Sequence, residues 1–185
     1  MNRYFQLSMA DVPRWHLEIV ESFPDGTPLD IWAYRGCTPV ENPKRVPFHV
    51  FVEGERVDYT PTAFLATVVS KRLADLWAEI FPHDIQRIPA SVDGVNDDWE
   101  VINVLTCIEC IDHERSRITY YPRNHPEKAG KPRGVLKLVL DPMRIGSCQI
   151  FHPVDWEVAT VVSENVKQAM EACRITGVEY SPVTE

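Results

Sequence analysis

Apolar residues in this chain keep two rhythms. Over its first third they alternate in short runs: Phe48, Val50 and Val52 share one face of segment 48–53, which predicts a strand. Segments 3–8, 16–21 and 29–34 read the same way. Seven prolines (Pro13, Pro24, Pro28, Pro39, Pro43, Pro47 and Pro61) punctuate this region, and proline is confined to turns and element edges, so no long helix is expected before residue 63. The fullest apolar run is 99–112, WEVINVLTCIECID. One parity carries Trp99, Val101, Leu105, Cys107 and Ile111, and the other carries Ile102, Val104, Ile108 and Cys110. Apolar residues on both faces predict one central strand covered on both sides. Shorter strands are expected at 117–121, 135–140 and 148–151, with the polar loop RNHPEKAGKPRG between the first two.

The second rhythm is helical, and it occurs twice. The five letters ATVVS begin at Ala66 and again at Ala159, 93 positions later. After the first copy come Leu73, Leu76, Trp77 and Ile80. After the second come Val166, Ala169, Met170 and Cys173. Both sets have the i, i+3, i+4, i+7 spacing of an amphipathic stripe. Ile85 then aligns with Val178, and Pro89 with Pro182. Each copy predicts a strand, a serine N-cap (Ser70, Ser163), about three helical turns and a returning strand. The serine hydroxyl accepts from the free N–H groups of the first turn. A phosphate site at such a turn needs glycines for close backbone approach, and neither copy has one there. Both serines are therefore read as structural caps. The expected fold is α+β: a mixed, mostly antiparallel sheet with two main helices, each in a strand–serine cap–helix–strand unit. The chain is expected to form a single domain over 1–185, with a proline-rich 1–62 and a sheet-and-helix core in 63–185.

Composition changes this picture little. Of 185 residues, 44% are hydrophobic and 25% charged, as in ordinary soluble domains. No apolar run approaches the roughly 20 residues of a membrane span, and MNRYFQLSMADVPRW lacks a signal peptide's apolar stretch. The five cysteines are odd in number and scattered, so they are expected to be reduced thiols in a cytoplasmic protein. The net charge of −8 argues against general nucleic-acid binding, and it suits either a basic protein partner or simple solubility.

Candidate chemistry is sparse. CIECIDH offers Cys107, Cys110 and His113, but cysteines three apart in a strand point to opposite faces, and a zinc knuckle needs both on one side of a turn. Cys37, in RGCTP beside Arg35, is the best candidate nucleophile, yet no histidine is linked to it by spacing. The acids of DGVNDDWE lack calcium-loop spacing. No catalytic, metal or cofactor site is expected. Two surface segments remain. Segment 115–133 carries Arg115, Arg117, Arg123, Lys128, Lys131 and Arg133 against one acid, Glu127, with Tyr120 and Tyr121 inside it. That composition fits a nucleic-acid footprint, a protein hot spot or a solvated loop. The other segment is acidic: Asp93, Asp97, Asp98 and Glu100 flank Trp99, a candidate anchor for a basic partner.

The ordered pieces ATVVSKRLADLW, IQRIPASV, WEVINVLTCIECIDHERS, LVLDPMRIGSCQIFHPVDWEVATVVSENVKQAM and RITGVEYSPV resemble a bacterial family once known only as a domain of unknown function. It is now grouped with the immunity proteins of polymorphic-toxin systems as immunity protein eleven. The resemblance runs from about Val46 to Val183, and Trp156 and Ser163 match its pattern. It implies a cytoplasmic, non-enzymatic protein whose partner is a cognate toxin, neutralised by occlusion. It supplies no catalytic residue, so contact residues are taken from surface chemistry alone: the acidic group around Trp99, or the basic segment with Arg117, Tyr120, Tyr121 and Arg123. The alternatives are an enzyme that reverses a toxin's modification and an RNA-binding module built on 115–133. The sequence leaves homo-oligomerisation open.

Overall fold

A computed structural model describes residues 3–34, 36–62 and 66–184. Along the chain it places β1 (Tyr4–Met9), β2 (His16–Ile19), a 3-10 turn (Ile31–Tyr34), β3 (Val46–Val52), β4 (Tyr59–Pro61), β5 (Thr67–Ser70) and α1 (Lys71–Ile80). Then come β6 (Ile85–Val92), β7 (Trp99–Val104), β8 (Cys107–Ile108), β9 (Arg117–Tyr120), β10 (Pro132–Lys137) and a four-residue α2 (Pro142–Ile145). β11 (Ile150–Pro153), β12 (Thr160–Ser163), α3 (Glu164–Ala172) and β13 (Val178–Pro182) complete it. The strands form a six-stranded sheet, β2-β3-β6-β7-β5-β4, a five-stranded sheet, β13-β1-β12-β11-β8, and a separate two-stranded ribbon, β10-β9. Most pairs are antiparallel, with β3·β6 and β11·β8 parallel. The architecture is the α+β arrangement expected from the sequence.

The repeat is a real structural unit, and it is larger than its letters. β7 lies between β5 and β6, with Ser70 opposite Trp99 and Ile85 opposite Val104. β1 lies between β12 and β13, with Ser163 opposite Tyr4 and Val178 opposite Met9. The two serines thus sit at the same register against their central strands. β4 pairs outside β5, and β11 pairs outside β12. Even the flanking amides match. Ser70 N donates to Asp58 O, and Ser163 N to Gln149 O; Lys71 N donates to Asp98 O, and Glu164 N to Arg3 O. The central strand follows its unit in the first copy and precedes it by most of the chain in the second, so a fixed sequence shift cannot align β7 with β1.

The two helices meet at the centre. Trp77 and Met170, equivalent positions of the repeat, are both fully buried, and Trp77 Nε1 donates to Met170 Sδ at 3.4 Å. Leu73, Val166, Phe5, Ile102, Ile150 and Val162 close the same cluster. A second cluster, around Trp15, Phe48, Val68, Ile88 and Val101, draws on β3, β5, β6 and β7 of the six-stranded sheet, and in β5 and β7 on the residues that alternate with those of the first cluster. A third gathers Tyr4, Leu140, Phe151 and Val161. Burying such side chains contributes roughly 1.5–3 kcal/mol each.

Five expectations need correction. Segment 29–34 is not a strand: Asp30 Oδ1 accepts from Trp32 N at 2.9 Å and folds Ile31–Tyr34 into a 3-10 turn. Segment 99–112 is not one strand. After Val104 the chain leaves the six-stranded sheet, with Leu105 N donating to Asp84 O and Thr106 Oγ1 to Asp84 Oδ1, and β8 joins the five-stranded sheet beside β11. Within β7 the expected cover on both faces holds, with Trp99 and Val101 in one core cluster and Ile102 and Val104 in another, while Cys110 and Ile111 enter a third. Segment 135–140 splits as well: β10 ends at Lys137, and Leu138, Val139 and Leu140 are buried beyond it. Cys173 caps α3 and is exposed, outside the predicted apolar stripe. Finally, the cysteines are not all reduced thiols, because Cys37 and Cys107 form a disulfide with Cα atoms 5.9 Å apart. The loop carrying Cys37 is held by Asn103, whose amide donates to Thr38 O, and by Gln86, whose amide both accepts from and donates to the Val40 backbone. Arg35, the charge read beside Cys37, lies outside the described residues.

Candidate functional site

The acidic group is split by the fold, which keeps Asp93, Asp97 and Asp98 at the surface and takes up Trp99 and Glu100. Trp99 starts β7 opposite Ser70, is only 5% exposed and packs at a tilt against Trp15 with ring centroids 4.8 Å apart. It is a core residue, not a surface anchor. Glu100 receives two hydrogen bonds of 2.6 Å from Arg87, which also reaches Asp75 at 2.7 Å. Asp97 pairs with Arg56 at 3.1 Å. Asp93 and Asp98 remain exposed, their backbones fixed by Phe48 and Lys71. The sequence placed five residues together, and the structure leaves three carboxylates at the surface, one of them already paired.

The basic segment is presented differently. Arg117 and Tyr120 bracket β9, while Tyr121 and Arg123 begin the loop that returns to β10. One face of the ribbon packs inward through Ile118 and Val135, which are opposite each other in register. Arg115 lies 3.9 Å from Asp112 at the ribbon's base. Tyr120 is 45% exposed, and its hydroxyl is 3.0 Å from His113 Nδ1. Tyr121 packs edge-on against His125, with Lys128 over its ring at 5.5 Å. Arg117, Arg123, Lys131 and Arg133 are exposed and make no ion pair among the described residues.

Two residues near this ribbon escaped the sequence reading. Leu136 is 83% exposed on β10, and Met143 is 81% exposed on α2. The run VLKLVL gives both parities apolar residues, so nothing in it separates an outward Leu136 from an inward Val135. Only the register with β9 does.

A cavity of about 300 Å³ opens at the ribbon's base, lined by Ile111, Asp112, His113, Glu114, Asp141 and Arg144. Two of its three carboxylates have structural duties. Asp112 Oδ1 accepts from the Glu114 and Arg115 amides at 3.1 and 3.0 Å, and Asp141 Oδ1 accepts from Met143 N at 2.9 Å as the cap of α2. Arg144 lies 3.4 Å from Asp141. Among the described residues, no three His, Cys, Asp or Glu side chains are placed to share a metal. Burial pushes the Cys110 thiol up to about 12 and also raises Cys148, so neither is poised as a thiolate. Cys37, the nucleophile candidate, is spent in its disulfide.

The most heavily bonded carboxylate, Asp58, joins the two repeat units. It accepts from Ser70 Oγ at 2.6 Å, from Thr176 N and Oγ1 at 2.9 Å each, and from the Arg72 guanidinium. Burial raises its pKa, but these donors outweigh burial and leave it below the usual carboxylate range. Arg72 also reaches the Cys173 and Arg174 carbonyls at the end of α3. This cluster is a structural tie.

No helix among the described residues is long and apolar enough to cross a membrane. No curated protein matches the chain. The sequence profile of the immunity protein family Imm11 matches residues 18–185. The match begins well before Val46, so the proline-rich region from Glu18 onward, with the end of β2 and all of β3, is part of the family pattern as well. With 18–185 matched, nearly the whole length, the chain belongs to the immunity protein family Imm11.

Proposed function

We propose that this protein is the cytoplasmic antidote to one cognate toxin, and that it works by covering the toxin's working surface without turnover. Membership of the immunity family carries this reading, because immunity against a toxin is the family's function. Occlusion asks for an interface of about 800 Å² per partner and for no reacting groups. Most of the side chains that might have served chemistry have other work: Asp112 and Asp141 of the cavity cap turns, two cysteines are bonded and Cys110 is buried. Co-expression of the toxin encoded in the neighbouring gene with and without this chain tests the reading. The expected result is restored growth and co-purification of the two proteins. Absence of both would sink it.

A further inference from the structure

We infer that the β9–β10 ribbon is the surface that grips the toxin, and that the toxin presents to it an acidic face with an apolar recess. The inference rests on the toxin-binding function proposed above and names the partner's chemistry. Between Arg115 and Lys137 seven bases stand against one acid, a net of +6 inside a chain of net −8. Charge asymmetry of this size steers a complementary partner. The acidic group has lost Trp99 to the core and Glu100 to Arg87, whereas Arg117, Arg123, Lys131 and Arg133 keep their charge unneutralised among the described residues. Three of the eight exposed large hydrophobic side chains among the described residues, Tyr120, Leu136 and Met143, lie in or just after this segment. Alternation along β9 and β10 sets Arg117 and Leu136 on the face away from Ile118 and Val135, and Tyr120 is exposed at the strand's end, so bases accompany an aliphatic and a tyrosine as in a protein hot spot.

The mode of contact follows from the ribbon's irregularity. Its register shifts between Pro132 and Gly134 and again between Val135 and Lys137. A bulged edge bearing proline and lysine resists addition of another strand. The toxin is therefore held by side chains across the outer face, not by extending the sheet. Single-stranded RNA would instead need aromatic faces open for stacking. Tyr121 is covered by His125 and Lys128, so the two tyrosines form no continuous stacking platform and the ribbon suits a protein better than bases.

The test uses the full-length protein and the toxin encoded in the neighbouring gene. Affinity is measured by calorimetry and protection by growth rescue, for wild type and for Arg117→Glu/Arg133→Glu/Leu136→Asp. The expected result is a loss of affinity of about 100-fold or more, with rescue abolished. Asp93→Lys/Asp97→Lys/Asp98→Lys should stay within about threefold of wild type. Since Leu136 is 83% exposed, the ribbon variant should keep the wild-type melting temperature. If it does not, Lys131→Glu in the loop reports the same charge dependence without touching either strand. Unchanged affinity in the ribbon variants, or loss confined to the acidic variant, overturns the inference while leaving toxin binding intact. Retention of oligouridine on filters by wild type, lost in the ribbon variant while toxin affinity stays constant, reassigns the ribbon to RNA. A wild-type protein that neither binds nor rescues defeats the underlying function instead.

Discussion

The two copies of the strand–serine–helix–strand unit share a plan and differ in what surrounds their caps. In the first, Ser70 Oγ accepts from Leu73 N at 3.3 Å and donates to the Asp58 carboxylate. In the second, Ser163 Oγ accepts from Val166 N at 3.4 Å and donates at 2.6 Å to the neutral Gln149 amide oxygen. Asp58 and Gln149 occupy equivalent places, since each also receives the backbone amide of its serine. Yet Asp58 additionally takes Arg72 and both donors of Thr176, reaching across to the chain that follows α3. The first unit therefore holds the second, and local capping has been extended into a tie between halves. The lesson is that a repeated motif fixes a local conformation, while its outer neighbours decide how much energy passes through it.

The largest effects should come where the units touch. Trp77→Ala should cost about 3–5 kcal/mol and Met170→Ala about 2–5 kcal/mol in urea denaturation, and the double variant should cost less than their sum because both open the same cavity. Strict additivity would show that the two helices are energetically independent.

Asp58→Ala should cost about 3 kcal/mol, because charge-assisted hydrogen bonds are worth more than neutral ones, whereas Gln149→Ala should cost about 1 kcal/mol. Equal losses would erase the contrast between the caps. The pH dependence has a definite sign. Since the folded carboxyl of Asp58 lies below its ordinary value, its stabilisation is present above the unfolded pKa of about 4 and disappears as pH falls through the folded value. The stability difference between wild type and Asp58→Asn should be constant near neutrality and shrink below about pH 4.

The disulfide is a second tie. Cys107 in β8 of the five-stranded sheet is bonded to a loop held by Gln86 and Asn103 of the six-stranded one. Cys37→Ser should lower stability by about 2–4 kcal/mol under oxidising conditions and match reduced wild type in excess dithiothreitol. A variant as stable as the oxidised protein would remove this tie from the account.

The smallest effects concern the caps themselves. Ser70→Ala should cost about 1–2 kcal/mol and Ser163→Ala about 0.5–1.5 kcal/mol, the first more because a buried carboxylate loses a donor. Neither should change toxin affinity well below the melting temperature. Loss of binding in folded Ser163→Ala would move that cap into the contact surface.

Much of this was legible beforehand, because the signals were local. The i, i+3, i+4 spacing fixed Leu73, Trp77, Val166 and Met170 inward, and a serine before each stripe marked the helix starts. What stayed hidden depended on distant pairing. Tyr4 shares no letters with Trp99, although both sit opposite a capping serine. The crossing at Leu105 and Thr106 is set by Asp84, about twenty positions away, and without it Cys107 reads as a buried strand residue. The candidate surface was half legible. Charge located the basic segment, but exposure of Leu136 depends on its register with β9, and burial of Trp99 depends on Trp15.

Occlusion and enzymatic reversal differ most sharply in stoichiometry. Purified toxin is titrated with this protein, and residual toxin activity is followed over hours at each ratio. Occlusion predicts a linear fall that ends at equimolar protein and does not drift with time. Complete, time-dependent loss of toxin activity at about one molecule of this protein per hundred toxins would contradict it and establish turnover.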